Sequence, residues 1–376
     1  MQFNRVRQKW RVRKDDERFW LLKLNQANNQ QHMLPGNFFK VIIQGKFEFG
    51  NERSFHKAIQ LYDQKSEVLY KKEVLFKTSE QIFLPEDFSL TIPRFIGNTS
   101  EKIWKNTISL LEYCAQFTVS GSLNAWMTDN GTIVQHVHLE PLGEKSSVML
   151  YQEGKKLAEQ TGKEQEAIQM LTDAIEKYNR HSQAYEKRGY VNYHLKNYED
   201  AIYDFKKSTT IDLMNASAHY GLGRSLMIQK KFKEAIESFD NAIKHSIALQ
   251  PLHWAARRSK GNCHLELKEF EKARFEYKLL VNRKFQDPDP NVKHIPNTWF
   301  NYGKTLFALG ELDAALEAFD HSIESPQPSG TTHKAEVFMH RGLARKAAGN
   351  ADYILDFRKA AELGDATANQ FLAQLS

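Results

Sequence analysis

Two stretches of this chain, AYEKRGYVNYHLKNYEDAIYDFKKS and AHYGLGRSLMIQKKFKEAIESFDNA, overlay at a fixed offset of 34 residues. Gly189 then coincides with Gly223, Tyr198 with Phe232, Ala201 with Ala235 and Phe205 with Phe239. A period of about 20–50 residues constrains architecture more than any single motif, because each unit must bury its apolar face against the next. Each unit here reads as two helices. A small Gly lets the pair approach, Tyr198 or Phe232 starts the second helix, and Ala and Phe fill the contact between them.

Four further units follow the pattern less strictly. Gly154 and Ala167 mark the first, Gly261 and Ala273 the fourth, Trp299, Gly303, Ala315 and Phe319 the fifth, and Gly342 with Phe357 the sixth. The spacing resembles the tetratricopeptide repeat, over residues 148–364 in six units. Residues 365–376 follow, and there Ala368, Phe371, Leu372 and Leu375 fall at helical spacing and predict a capping helix. The array departs from the pattern in its connections. HSIALQPLHW lengthens the third-to-fourth link, NRKFQDPDPNVKHIPN lengthens the fourth-to-fifth, and Leu213 stands where a proline would end the second unit.

The resemblance implies a peptide or protein surface held in a concave groove, since such arrays rarely do chemistry. One subgroup of such arrays grips a C-terminal carboxylate with Lys, Asn and Arg side chains. Arg258 and Asn262 flank Gly261, and Asn301 precedes Gly303, at positions that match three of those residues. A guanidinium at Arg258 can pair bidentately with a carboxylate. In the next unit the matching basic positions hold Glu336 and His340, and Glu336 would repel the ligand. The alternative for all of these residues is a solvated helix face.

Residues 1–147 have a different texture, with period-two alternation and Gly, Asn and Asp turns. RVRQKWRVR places Arg5, Arg7, Lys9, Arg11 and Arg13 on alternate positions, so a strand there puts all five on one face. DDE then reads as a turn and RFWLLKL as the returning strand. NFFKVIIQGKFEF, HKAIQLYD, EVLYKKEVLFK and EQIFL read as further strands. SEKIWKNTISLLEYCAQ reads as a helix capped by Ser100, with Trp104, Ile108, Leu111 and Ala115 along one side. FTVSGSLNAWMTDNGTIVQHVHLEPL closes the module as a hairpin turning at Asp129-Asn130-Gly131. Strands, a helix and a closing hairpin suit a small oligonucleotide/oligosaccharide-binding barrel, and VSGSLNAWMTDNGTIVQHVHLEPL resembles the corresponding part of bacterial single-stranded DNA-binding proteins. The expected fold class is therefore α+β with two domains: a mainly-β, barrel-like module followed by an all-α solenoid.

In the strand before that turn, Val119, Leu123 and Ala125 share one side and Ser120, Ser122, Asn124 and Trp126 the other. The resemblance makes Trp126 a candidate for stacking a base, with Tyr62 and Tyr70 as weaker ones. The competing reading has Trp126 covering core under the N-terminal hairpin or docking on the first repeat. The basic comb has three readings: a phosphate track, a charged sheet edge that prevents aggregation, and a docking face for an acidic protein or an anionic membrane surface. Of the net +6, residues 1–148 carry +4, from 20 Lys and Arg against 16 Asp and Glu.

Composition limits the rest. Hydrophobic content of 41% and charged content of 26% suit a globular chain. The start has no apolar stretch, and no apolar run is long enough for a bilayer, so neither secretion nor a transmembrane segment is expected. Cys114 and Cys263 lie far apart and read as reduced thiols of a cytoplasmic protein. His136 and His138 share a strand face but lack a third metal ligand. GKKLAEQTGKEQ has the wrong spacing for a phosphate loop, and Asp287 and Asp289 read as turn residues. No cofactor is expected. Two readings remain: a non-enzymatic adaptor that binds single-stranded nucleic acid or another polyanion at one end and a protein at the other, or a pure protein scaffold. A cavity between the modules holding clustered acids or histidines would point instead to an enzyme.

Overall fold

The computed structural model describes residues 38–326 and 333–374. The comb and its returning strand lie outside the described residues.

Strand β1 (Phe38–Glu48) is followed by helix α1 (Glu52–Gln64), a short β2 (Phe83–Leu84), β3 (Ser89–Ser100), helix α2 (Glu101–Ala115), β4 (Ser120–Asp129) and β5 (Thr132–Leu139). The sheet order is β2-β3-β1-β4-β5. β1 pairs antiparallel with β4, β2 with β3 and β4 with β5. With β2 and β5 at its edges the sheet is open, so it does not close into the expected barrel.

Alternation decides which face is which. Val41, Ile43, Leu123, Ala125 and Met127 point into a core completed by Phe55 and Tyr62 of α1 and by Trp104, Leu111 and Ala115 of α2. Both helices therefore cover one face of the sheet. The Ser100 side chain accepts from the Ile103 amide, as an N-cap should. At the hairpin tip Asn130 and Gly131 have φ of +48° and +79°, the left-handed pair that matches the twist of the strands.

Three strand expectations are corrected. HKAIQLYD belongs to α1, where Asn51 caps the Ser54 amide and Phe55, Ala58 and Tyr62 fall on one buried side. EVLYKKEVLFK forms a π turn (Lys65–Leu69) and then loop, with Lys71 and Lys72 at positive φ. EQIFL contributes only β2 and a 3-10 turn. β3 in turn was not expected from a segment containing Pro93. Pro93 lies beyond the β2 pairing, which reaches only Ser89 and Leu90, so on that side of β3 no ladder bond is lost.

From Ser146 onward the chain is helical: α3 (Ser146–Leu157), α4 (Glu164–Lys177), α5 (Ser182–His194), α6 (Tyr198–Ile211), α7 (Ala216–Ile228), α8 (Phe232–His245), α9 (Pro251–Glu266), α10 (Phe270–Val281), α11 (Ile295–Ala308), α12 (Leu312–Glu324), α13 (His333–Ala347), α14 (Tyr353–Glu362) and α15 (Ala366–Ala373). The repeated glycines do what their register implies. A methyl at Gly223 would stand 2.6 Å from the Phe239 ring, one at Gly303 2.6 Å from Phe319 and one at Gly342 2.6 Å from Phe357. Gly154 meets Leu171, and Gly261 meets Tyr277 in place of Phe. In α15, Ala368, Phe371 and Leu372 pack on the cluster around Phe357, covering the end of the last pair.

Candidate protein-binding site

The second face of the sheet is not free. It rests on the loops that join one repeat to the next, within one compact unit running from Phe39 to the C-terminal helix. Gln44 donates to the His245 carbonyl at 2.7 Å, Arg94 to the Ser246 carbonyl at 3.2 Å, and the Gly121 amide to the Gln183 side chain at 2.8 Å. Glu48, 2% exposed, accepts from the Tyr178 hydroxyl and pairs with Arg180 at 2.9 Å. Its ion pair with Lys46 completes the set that a buried carboxylate needs.

Trp126 lies in this interface. It is 1% exposed, stacks on His136 with centroids 5.2 Å apart, and packs with Ile42 against Ile247 and Leu249. A base cannot reach its ring, which corrects the stacking assignment. The docking alternative describes it better, although the contact is the lengthened third-to-fourth connection and not the first repeat. Tyr62 is likewise core, donating its hydroxyl to the Phe76 carbonyl. Arg5, Arg7, Lys9, Arg11 and Arg13 lie outside the described residues.

Between sheet and loops lies a polar cavity of about 210 Å³, lined among others by His138, Glu140, Glu186, Asp212 and His245. Its acids are engaged in structure. Glu140 pairs with Lys155 at 2.8 Å, Glu186 accepts from Asn215 and Ser217, and Asp212 accepts from the Met214 amide. His136 and His138 both bond the Asn124 side-chain oxygen, and burial, with the neighbouring His138, lowers His136 to about 4. Among the described residues no group of three His, Cys, Asp or Glu side chains could hold a metal. The cavity thus gathers acids and histidines that are hydrogen-bonded to the surrounding interface, with the Asp212 carboxyl pushed up to about 6 by burial.

A different surface is assembled by the first helices of successive repeats, α5, α7, α9, α11 and α13. Tyr190 of α5 donates to the Ser217 carbonyl in the first turn of α7. The Arg224 guanidinium lies 4.4 Å from the Tyr193 ring centroid and 5.7 Å from that of Tyr220, a cation–π bridge between α5 and α7. Arg258 of α9 lies within electrostatic range of Tyr220 and Arg224, and burial lowers its pKa. Asn262 accepts from the Tyr277 hydroxyl at 2.8 Å and from Asn301 of α11 at 3.2 Å. Lys304 sits 4.5 Å from the Phe300 centroid, and Phe300 meets His340 of α13 edge-on. Contacts thus join α5 to α7, α9 to α11 and α11 to α13, and Tyr, Arg, Asn and Lys side chains recur along the first helices.

Asn262 and Asn301 are thereby brought together, as their matching positions imply. Arg258 is directed elsewhere: its Nη1 donates to the Asn291 side chain at 2.7 Å, in the long fourth-to-fifth connection. Sequence reasoning missed Tyr193, Tyr220 and Arg224. Their spacing from Gly189 and Gly223 was the available signal, since each lies within four residues of a repeat glycine on the same helix.

Residues 156–212 and 220–288 match one family model described as Tetratricopeptide repeat, and residues 296–327 match another of the same description. The chain is 25% identical over 163 residues to the Caenorhabditis elegans "Tetratricopeptide repeat-containing protein trd-1", covering 36% of this chain and about a fifth (20%) of that relative. Among solved structures it is similar to YrrB, titled a TPR protein with an unusual peptide-binding site, at 20% identity and TM-score 0.46 over 54% of this chain and 97% of that one. It is also similar to PilF of Pseudomonas aeruginosa, at 18% identity and TM-score 0.47 over 61% and 100%. The family match and the Gly–aromatic contacts agree: the helical array of this chain is built of tetratricopeptide repeats, a fold for protein–protein interaction.

Proposed function

We propose that the chain is a non-enzymatic cytoplasmic adaptor whose repeat array holds an extended segment of a partner protein along α5, α7, α9 and α11. The observation that carries this reading is the Tyr193–Arg224–Tyr220 bridge continued by Arg258, Asn262 and Asn301. Aromatic rings and guanidinium groups are the side chains that dominate protein interfaces, and side-chain amides suit the backbone of an extended peptide. The face of the sheet turned away from its helices is spent on docking, and among the described residues the helix strip supports the reading as a surface offered to a partner.

A polyanion-binding role, for single-stranded nucleic acid or an acidic or membrane surface, now rests on Arg5, Arg7, Lys9, Arg11 and Arg13 alone. Titrating a labelled oligonucleotide across a salt series tests it, since phosphate contacts produce a steep salt slope. For the array, the test is co-purification from the protein's own cells with wild-type and Arg224→Glu/Asn262→Ala baits, quantified by mass spectrometry. A partner recovered by the wild type and lost with the variant supports the reading. An unchanged set of proteins would contradict it.

A further inference from the structure

The fourth-to-fifth connection, the longest departure from the repeat pattern, folds back beside α10 and α11 and leaves a pocket of about 330 Å³. Leu280, Phe285 and Trp299 supply apolar walls, and Arg258, Arg283 and Lys284 supply three cations; no carboxylate lines it. Among the described residues none of the three cations is in an ion pair. Arg283 lies 4.7 Å from the Trp254 centroid and 5.7 Å from that of Phe285, and its Nε is buried without a hydrogen-bond partner. The neighbouring carboxylate, Asp289, accepts at its Oδ1 from the backbone and the side-chain N–H of Asn291 and does not line the pocket. Asn291 in turn takes one bond from Arg258. A guanidinium held partly out of water with an unmet donor gains most from an anion brought to it.

We propose that this pocket anchors an internal acidic segment of the partner, an Asp or Glu carboxylate pairing with Arg283 and Lys284 while an adjacent aromatic or aliphatic side chain fills the space against Leu280 and Trp299. The inference rests on the protein-binding reading of the array. Charge complementarity selects an acidic segment, the walls select an apolar neighbour, and Arg258 makes the pocket continuous with the helix strip. Because the pocket's cations come from the connection as well as from a helix, a free chain terminus is not required.

The test uses the full chain and a fluorescent Gly-Glu-Glu-Phe-Glu-Glu-Gly peptide with both ends blocked, followed by anisotropy. Controls are the same peptide with Lys for Glu and with Ala for Phe. Arg283→Gln and Lys284→Glu each remove pocket charge. Lys284 is exposed, so its variant keeps the fold if loss of the Arg283 stack does not. The acidic Phe peptide should bind at low ionic strength, the two control peptides should bind poorly, and either variant should weaken binding by about tenfold or more. Binding unchanged in both variants but lost in Arg224→Glu would overturn the pocket and leave the helix strip as the site. Failure of the wild type to bind any of the peptides would also overturn it, while co-purification still decides the broader reading. Equal affinity for the Ala peptide, with displacement by inorganic phosphate, would reduce the pocket to a simple anion hole and overturn the peptide proposal.

Discussion

Replacing Gly223 with Ala sets two physical effects against each other. In an exposed helix the change would stabilise by about 1 kcal/mol, because Ala is the better helix former. Here the new methyl would lie 2.6 Å from Cε1 and 2.8 Å from Cδ1 of Phe239, whose ring is fully buried between α7 and α8. That is about an ångström inside normal carbon–carbon contact, and overpacking of this kind costs about 1–3 kcal/mol. The ring cannot swing away without moving Ala235 or Ala256, its neighbours in the same core. We expect a net loss of about 1–2 kcal/mol. Urea unfolding followed by far-ultraviolet circular dichroism measures it, read as a shift of midpoint with the slope unchanged. The companion is Phe239→Leu, which is destabilising alone. Adding Gly223→Ala to it should then cost less than in the wild type, because the space has been vacated. A stabilised Gly223→Ala protein, or strict additivity in the double variant, would refute the account of why the glycines repeat.

Asp212 gives a pH test. Burial raises its carboxyl from 3.8 to about 6, so the native state keeps the proton longer than the unfolded chain. Ionising it as pH rises between about 4 and 6 costs native stability, and the cost is complete above that range and absent below it. Asp212→Asn should therefore stabilise by about 2–3 kcal/mol at neutral pH and by nothing near pH 4, in melts compared across pH. Lys230 holds φ of +60° between α7 and α8. Lys230→Gly should stabilise by about 0.5–1 kcal/mol in urea melts, the left-handed strain relieved less the entropy glycine loses. Trp126→Ala should destabilise by about 3–5 kcal/mol by opening a cavity at the sheet–loop interface, and should leave any oligonucleotide affinity of the folded protein unchanged.

The array was legible because its identity is carried by side-chain size at fixed spacing: Gly against Phe or Tyr leaves one solution for how two helices pack. The last hairpin was legible for the same local reason, since Asn130-Gly131 suits two left-handed residues. α1 was not, because FHKAIQLYD alternates over a few residues as a strand does, and only the longer Phe55, Ala58, Tyr62 spacing with the Asn51 cap distinguishes a helix. β3 was hidden by Pro93, whose tolerance depends on how short β2 is. Trp126 was misassigned because a half-polar strand face says nothing of what covers it, and the cover, Ile247, is more than a hundred residues away. Arg258 occupied a matching position but is turned toward Asn291, a partner that only the folded connection provides. The two lengthened connections were visible as departures; that one docks the sheet and the other forms a pocket depends on contacts that arise only in the folded chain.

The proposed binding mode places a partner along the first helices of the repeats. It is tested most directly by placing a photo-crosslinking phenylalanine analogue at Tyr193 or Tyr220 of the strip, and at Tyr203, 55% exposed on α6, and irradiating living cells. A partner on the strip yields a common crosslinked protein from the first two positions and none from the third. Crosslinks from Tyr203 with none from Tyr193 or Tyr220 would contradict it.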